Sequence, residues 1–180
     1  MTTQKLLICT GATYPFDALF ESILRSADVL SYLTAELKIT HVRVQYGPSS
    51  SSKVKFEKAL AEVDAGIQVS GFGMTERMAD EIADCDVVVS HAGTGTILDT
   101  LRSKSPPKLL VVPNPVLMHG HQAEIANALE DLGCLVSASD VSSSGILTAL
   151  KKLAEKKLRA LPERTSLADR IDYEAGTLYA

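Results

Sequence analysis

The chain has 180 residues, 46% of them hydrophobic and 22% charged, with a formal net charge of −4 at pH 7. That is enough for one ordinary domain with a sizeable core and too little for two. The composition lacks the basic stripe of a nucleic-acid binder, and no apolar run approaches the ~20 residues that span a bilayer.

Cys9, Cys85 and Cys134 lie far apart and form no CxxC pair. They read as small buried hydrophobes in a reducing compartment. The residues from Met1 to Lys5 lead straight into a strand-like run and do not have the shape of a signal peptide. A cytoplasmic location is expected.

Leu6-Leu7-Ile8-Cys9 predicts a buried strand, ended by a tight turn at Thr10-Gly11-Ala12. Pro15-Phe16-Asp17 opens a helix carrying Ala18, Leu19, Ile23 and Leu24. His41 to Tyr46 alternates like a strand and breaks at Gly47-Pro48, and the serine run Ser49–Ser52 reads as a flexible loop. Phe56, Leu60 and Val63 mark the next helix. Ile67-Gln68-Val69 reads as a strand and Gly71-Phe72-Gly73-Met74 as a loop.

Met78, Ile82 and Ala83 predict a helix feeding the strand Asp86-Val87-Val88-Val89. Leu109 to Val112 is another buried strand, ended by Pro113-Asn114-Pro115. Gln122 to Leu132 is helical, with Gly133 as its C-cap. Leu135-Val136 is a last short strand, and Ile146, Leu147, Leu150 and Leu153 share one helix face.

Strands therefore alternate with helices, and the strands are continuous apolar runs. Such strands are covered on both faces, which predicts an α/β fold with a doubly wound parallel sheet, Rossmann-like, and ligands beyond the strand carboxyl ends. Residues 1–162 make one domain. In the tail, 163–180, spaced Leu167, Ile171, Tyr173, Leu178 and Tyr179 suggest a helix docking on this domain or on another chain.

The chemistry concentrates in Ser90-His91-Ala92-Gly93-Thr94-Gly95-Thr96-Ile97-Leu98-Asp99. A Gly/Thr-rich turn between a buried strand and a helix puts N–H groups, hydroxyls and a positive helix end at the sheet edge, where diphosphates bind. Asp99 lies three residues after Thr96 on one helix face, placed to accept from a ribose diol. A close-packed strand-to-helix turn explains the glycines equally well, and a solvated helix acid explains Asp99. The third glycine of a dinucleotide fingerprint is absent, as is the Gly-Lys-Ser/Thr of a P-loop, so an NAD-dependent oxidoreductase is remote.

His119-Gly120-His121-Gln122 opens a helix without carboxylate or cysteine at ligand spacing. It suits sugar hydroxyls, or simple N-terminal capping, better than a metal, and no metal or other cofactor is expected. Asp84-Cys85-Asp86 spells a metal–nucleotide motif but falls at the amino end of a strand, the wrong edge, and reads as structural. Phe72 and Met74 fit a base pocket or core plugs, Gly11-Ala12-Thr13 a phosphate approach or a turn. His41 reads as incidental. No catalytic base is identifiable from spacing.

Taken together, Cys9-Thr10-Gly11-Ala12-Thr13-Tyr14-Pro15-Phe16, Gly71-Phe72, the Ser90–Asp99 block and His121-Gln122 with Ala126 resemble the carboxyl-terminal, donor-binding half of family-28 glycosyltransferases. The resemblance runs to about Val136 and is strongest to the small subunits of the two-part UDP-N-acetylglucosamine transferases of the dolichol pathway. It implies one half of a GT-B enzyme, with Gly93, Thr94, Gly95 and Thr96 facing the donor diphosphate. It places Asp99 on the ribose, where many relatives carry the longer Glu. It also puts His121 and Gln122 on the donor sugar and Phe72, Gly73 and Met74 near uracil.

Gly11 and Thr13 would lie where the two halves meet. His91 stands where the bacterial relative has Arg, which leaves its role open. The implied activity is transfer of GlcNAc from UDP-GlcNAc to GlcNAc-diphosphodolichol. The first strand starts at Lys5, so the acceptor half is expected from a second, membrane-anchored chain at the cytosolic face of the endoplasmic reticulum. A nucleotide-sugar binding or regulatory module without transfer activity is the alternative.

Overall fold

The computed structural model describes residues 4–63, 66–114 and 121–162, with the backbone alone at 121–123. In chain order the elements are β1 (Gln4–Cys9), α1 (Asp17–Leu24), α2 (Ala27–Ala35), β2 (Ile39–Gln45), α3 (Ser50–Ala61), β3 (Gln68–Phe72) and α4 (Met78–Ala83). There follow β4 (Val87–His91), α5 (Thr94–Leu101), β5 (Lys108–Val112), α6 (His121–Asp131), β6 (Val136–Ser137) and α7 (Ser143–Glu155). The six strands pair in parallel in the order β3-β2-β1-β4-β5-β6. This is the doubly wound arrangement, and its winding reverses between β1 and β4, the place where such sheets bind ligands.

The unbroken apolar strands follow from burial on both faces. Leu6, Ile8, Val42, Val44, Val87, Val89, Leu110 and Val112 join a core with α1, α2, α3 and α7. Leu7, Cys9, Val88, Leu109 and Val111 join the opposite core with Ile82, Ile97, Leu101, Ala126 and Leu129. Each fully buried Leu, Ile or Val contributes ~1.5–3 kcal/mol relative to exposure. Gly133 ends α6 as expected: its φ is +79°, its N–H donates to Glu130 O at 2.9 Å, and Cys134 N–H reaches back to Leu129 O at 2.9 Å. Those two bonds are the Schellman pair that only a left-handed residue allows.

Four expectations change. Ser50–Ser52 are the first turn of α3, with Ser49 as its N-cap residue and Ser52 fully buried. Serine suits the start of a helix, and Phe56 and Ala59 anchor the face, Phe56 lying edge-on to Phe20 at 6.0 Å. Gly71 and Phe72 belong to β3, paired with Val44 and Gln45 of β2. A Cβ on Gly71 would sit 2.4 Å from the Phe56 ring, so this glycine is a packing residue.

A second helix, α2, was not foreseen. Ser26 caps it, accepting from Val29 N–H at 3.3 Å, and Val29, Leu30 and Leu33 are its buried face. The last strand falls at Val136–Ser137, one residue later than expected. The tail 163–180 and His119 lie outside the described residues.

Candidate functional site

The switch point is built from backbone. After β1, Thr10 N–H and Oγ1–H both donate to Gln45 O, at 3.2 and 2.9 Å, and Gly11 N–H donates to Gln45 Oε1 at 3.3 Å. Gly11 has φ +91°, a left-handed conformation natural only to glycine. Gly47 and Gly73 stack beside it: a Cβ on Gly47 would meet Gly11 O at 3.1 Å, and one on Gly73 would meet Gly47 O at 3.1 Å. The turns after β1, β2 and β3 thus lie backbone on backbone along one edge.

β4 ends at His91, whose imidazole lies between the turns after β1 and β4. Its Nδ1 is 3.3 Å from Cys9 O. A Cβ on Gly11 would come within 2.7 Å of His91 Nε2, and one on Gly93 within 2.2 Å. Gly93 N–H folds back to His91 O at 2.8 Å, and Ser90 Oγ–H donates to the same carbonyl at 2.7 Å. Burial pushes the His91 pKa below its ordinary 6.5, partly offset by the Cys9 carbonyl.

α5 begins immediately afterwards. Its N-cap residue, Gly93, offers no side chain to the first-turn N–H groups, which have no acceptor within the helix. Among the described residues nothing lies within 4 Å of a Cβ placed on Gly95. Thr94 and Thr96 are partly exposed and Asp99 is exposed one turn beyond Thr96. Thr100 Oγ1–H bonds to Thr96 O at 2.7 Å. Among the described residues no side chain caps the first-turn N–H donors, and the helix head presents them with two hydroxyls and a carboxylate.

The other sequence candidates fall as follows. His121 and Gln122 open α6, at the same edge as the α5 head; their side chains are outside the described residues. Thr13 is exposed in the β1–α1 turn. Met74 is exposed and lies 3.9 Å through its sulfur from Gln45 Nε2, one residue removed from Gly11. Phe72 ends the edge strand β3, three strand spacings or ~14 Å from β4, with the Arg43 guanidinium 4.7 Å over its ring.

Asp84-Cys85-Asp86 is structural as expected: Asp84 pairs with Lys5 Nζ at 2.7 Å and Asp86 accepts from Lys5 N–H at 2.8 Å, at the amino edge. Sequence reasoning missed Gln45, a buried amide that ties β2 to Gly11. Its signal was a polar residue ending an apolar strand just before Gly47-Pro48. Among the described residues no group of three His, Cys, Asp or Glu stands together as a metal site, and no helix is long and apolar enough to cross a membrane.

Known proteins resemble this chain in sequence and in fold. The model of the glycosyltransferase family 28 C-terminal domain matches residues 6–174. The UDP-N-acetylglucosamine transferase subunit ALG13 of Yarrowia lipolytica is 36% identical over 162 residues, 90% of this chain and 79% of that protein. The ALG13 subunit of Saccharomyces cerevisiae is 29% identical, covering 88% of this chain and 89% of that one. The solution NMR structure of ALG13 superposes with a TM-score of 0.71 at 26% identity over 94% of both chains. MurG of Acinetobacter baumannii shares the fold over 84% of this chain and 41% of that one, with a TM-score of 0.63 at 19% identity. The chain belongs to the glycosyltransferase family 28 C-terminal domain family, among its ALG13 members.

Proposed function

We propose that this chain is the donor-binding, catalytic subunit of a heteromeric N-acetylglucosaminyltransferase. It moves GlcNAc from UDP-GlcNAc to GlcNAc-diphosphodolichol, the second step of lipid-linked oligosaccharide assembly for N-glycosylation. The observation that carries the reading is the α5 head at the β1/β4 switch point: first-turn N–H groups without a side-chain cap, beside a Gly95 whose Cβ direction is open. The relatives named UDP-N-acetylglucosamine transferase subunits supply the donor.

In this reading Gly93, Thr94, Gly95 and Thr96 hold the diphosphate, Asp99 the ribose, His121 and Gln122 the sugar, and Gly73 and Met74, with Phe72 behind them, the uracil side. The acceptor hydroxyl attacks the anomeric carbon as the bond to the diphosphate oxygen breaks, and UDP leaves with the electron pair. Charge then grows on the diphosphate, where fixed N–H dipoles act without reorganising. One such donor is worth ~3 kcal/mol of barrier. No metal is assigned to the step. The base that takes the acceptor proton is assigned to no residue here.

The word subunit in the relatives' names supports a partner. We assign it the acceptor-binding half and the membrane anchor, which places this chain on the cytosolic face of the endoplasmic reticulum. Tyr14 (51% exposed) and Met74 (54% exposed) flank the glycine turns and suit a surface that a second half closes over. Gly11, Thr13 and His91 lie toward that junction, and the tail 163–180 is a further docking element.

The test is a transfer assay with UDP-GlcNAc and a lipid-linked GlcNAc-diphosphate acceptor, on the chain alone and co-purified from native membranes. Turnover in the co-purified sample supports the proposal. Donor binding without turnover in either sample favours a nucleotide-sugar binding module instead.

A further inference from the structure

Among the described residues His91 is the one histidine wedged into the switch point, and its two ring nitrogens have different fates. Nδ1 faces Cys9 O at 3.3 Å. A carbonyl only accepts, so Nδ1 carries the proton and the neutral ring leaves Nε2 as a bare lone pair. Nε2 lies in the gap between Gly11 and Gly93, the atom nearest to where either Cβ would stand. Only because both flanking residues are glycines does the ring fit there. His91 remains partly exposed, and this nitrogen lies beside Gly93, the N-cap residue of α5.

We propose that His91 takes up a proton from solvent when a nucleotide-sugar diphosphate binds, so that Nε2–H becomes a charged donor to the diphosphate. This rests on the donor-site reading above and assigns the open role at position 91. A bare Nε2 repels a phosphate oxygen, whereas a protonated one makes a charge-assisted bond to it. The balance is simple: one solvent proton is bound, no bond in the substrate changes, and Nδ1–H stays on Cys9 O throughout.

The surroundings make the free ring neutral. β1 contributes Cys9, whose thiol burial pushes far above its ordinary value and keeps uncharged. β4 contributes Ser90. α5 contributes Thr94 and the positive end of its dipole, with Asp99 exposed about a turn and a half along the helix. Burial holds the free imidazole below 6.5, and no charged side chain contributes to that shift. A dianionic diphosphate beside the ring reverses the balance.

The linkage has a definite sign. A group protonated on binding makes affinity rise as pH falls, by about tenfold per pH unit between its free and bound pKa values. For His91 that window opens at its free value, which burial lowers below 6.5, and extends upward to the value that the bound diphosphate sets.

UDP-GlcNAc is the probe, because its diphosphate is esterified at both ends and does not itself titrate near pH 7. Calorimetric binding to the full chain, alone and co-purified with its partner, is measured at pH 7 in buffers of different ionisation enthalpy. The expected result is uptake approaching one proton per UDP-GlcNAc, abolished in His91→Gln, which keeps an N–H donor but cannot titrate. That variant separates His91 from His41, His119 and His121. Ring ¹⁵N signals of His91 in the native chain give a readout free of folding defects, moving from the neutral Nδ1–H tautomer to imidazolium on binding. Tight binding without proton uptake, or a ring that stays neutral, overturns the inference and leaves the donor site standing. Absence of UDP-GlcNAc binding under all conditions overturns the donor-site reading as well.

Discussion

Helices α5 and α7 both follow strands of the sheet, both have serine or threonine in their first turn, and both carry a glycine there, yet their heads are finished differently. At α7 the chain supplies its own anion. Asp140 accepts from Ser142 N–H at 2.8 Å, from Ser142 Oγ–H and from Ser139 Oγ–H at 3.0 Å. Ser142 caps Gly145 N–H at 3.1 Å, and the Asp140 carboxylate stands 2.6 Å from where a Cβ on Gly145 would be. Those hydrogen bonds hold the Asp140 carboxyl below its ordinary range.

At α5, among the described residues, no side chain caps the helix and nothing stands within 4 Å of a Cβ on Gly95. In the proposed donor site, the difference separates a helix head that folding completes from one left for the diphosphate to complete. A buried or capped donor adds stability by itself, whereas an unmet donor withholds that stability until something binds.

The largest expected effect comes from Gly93→Val. Its Cβ would overlap His91 Nε2 at 2.2 Å, displacing the ring and the helix head together. GlcNAc transfer in the reconstituted complex should fall at least ~100-fold, with ~1–3 kcal/mol of overpacking in the chain. Wild-type turnover by a folded Gly93→Val would separate the α5 head from the chemistry.

Gly95→Ala is the sharper cut, because fold and function should move in opposite directions. Alanine gains ~1 kcal/mol over glycine inside a helix, which raises Tm by ~2–4 °C in a domain of this size. The methyl group would meet the diphosphate, so UDP-GlcNAc affinity should drop ~10-fold or more. A stabilised variant with unchanged affinity would show that the ligand does not approach Gly95.

Asp99→Ala comes next. The carboxylate is exposed, so thermal stability should stay within ~0.5 kcal/mol. Losing a charged hydrogen bond to the ribose costs ~1.5–3 kcal/mol, read as a ~10–100-fold higher KM for UDP-GlcNAc; Asp99→Glu should restore most of it.

The smallest effect belongs to the other helix head. Ser142→Ala removes the α7 cap and should lower stability by ~1 kcal/mol while turnover per folded molecule stays at the wild-type value. A loss of turnover there would blur the distinction between the two heads.

Much of this was legible in the residues. The apolar runs at Leu6–Cys9, Val87–Val89 and Leu109–Val112 declare strands buried on both faces, and Gly133 declares a helix end. The Gly93–Thr96 turn followed by Asp99 fits a diphosphate and a ribose by spacing, but fits a close-packed turn with a solvated acid equally well.

Where the reading went astray, local and tertiary signals conflict. Ser49–Ser52 has loop composition, but Ser52 is buried beneath the helix that Phe56 docks. Gly71-Phe72 looks like a break, but pairing with Val44 and Gln45 extends the strand. Gln45 stands out locally as a polar residue ending an apolar strand, but nothing near it names Gly11, 34 positions earlier, as its partner.

The alternation of strand and helix along most of the chain and the class of fold were determined by the sequence itself, because hydrophobic periodicity and turn chemistry act over a few residues. Which turns become neighbours was decided by the tertiary structure. The reversal of winding between β1 and β4 brings Gly11 and Gly93, 82 positions apart, onto the two sides of one imidazole. No local pattern encodes that meeting, because it depends on sheet order and on the two glycine hydrogens that make room for the ring.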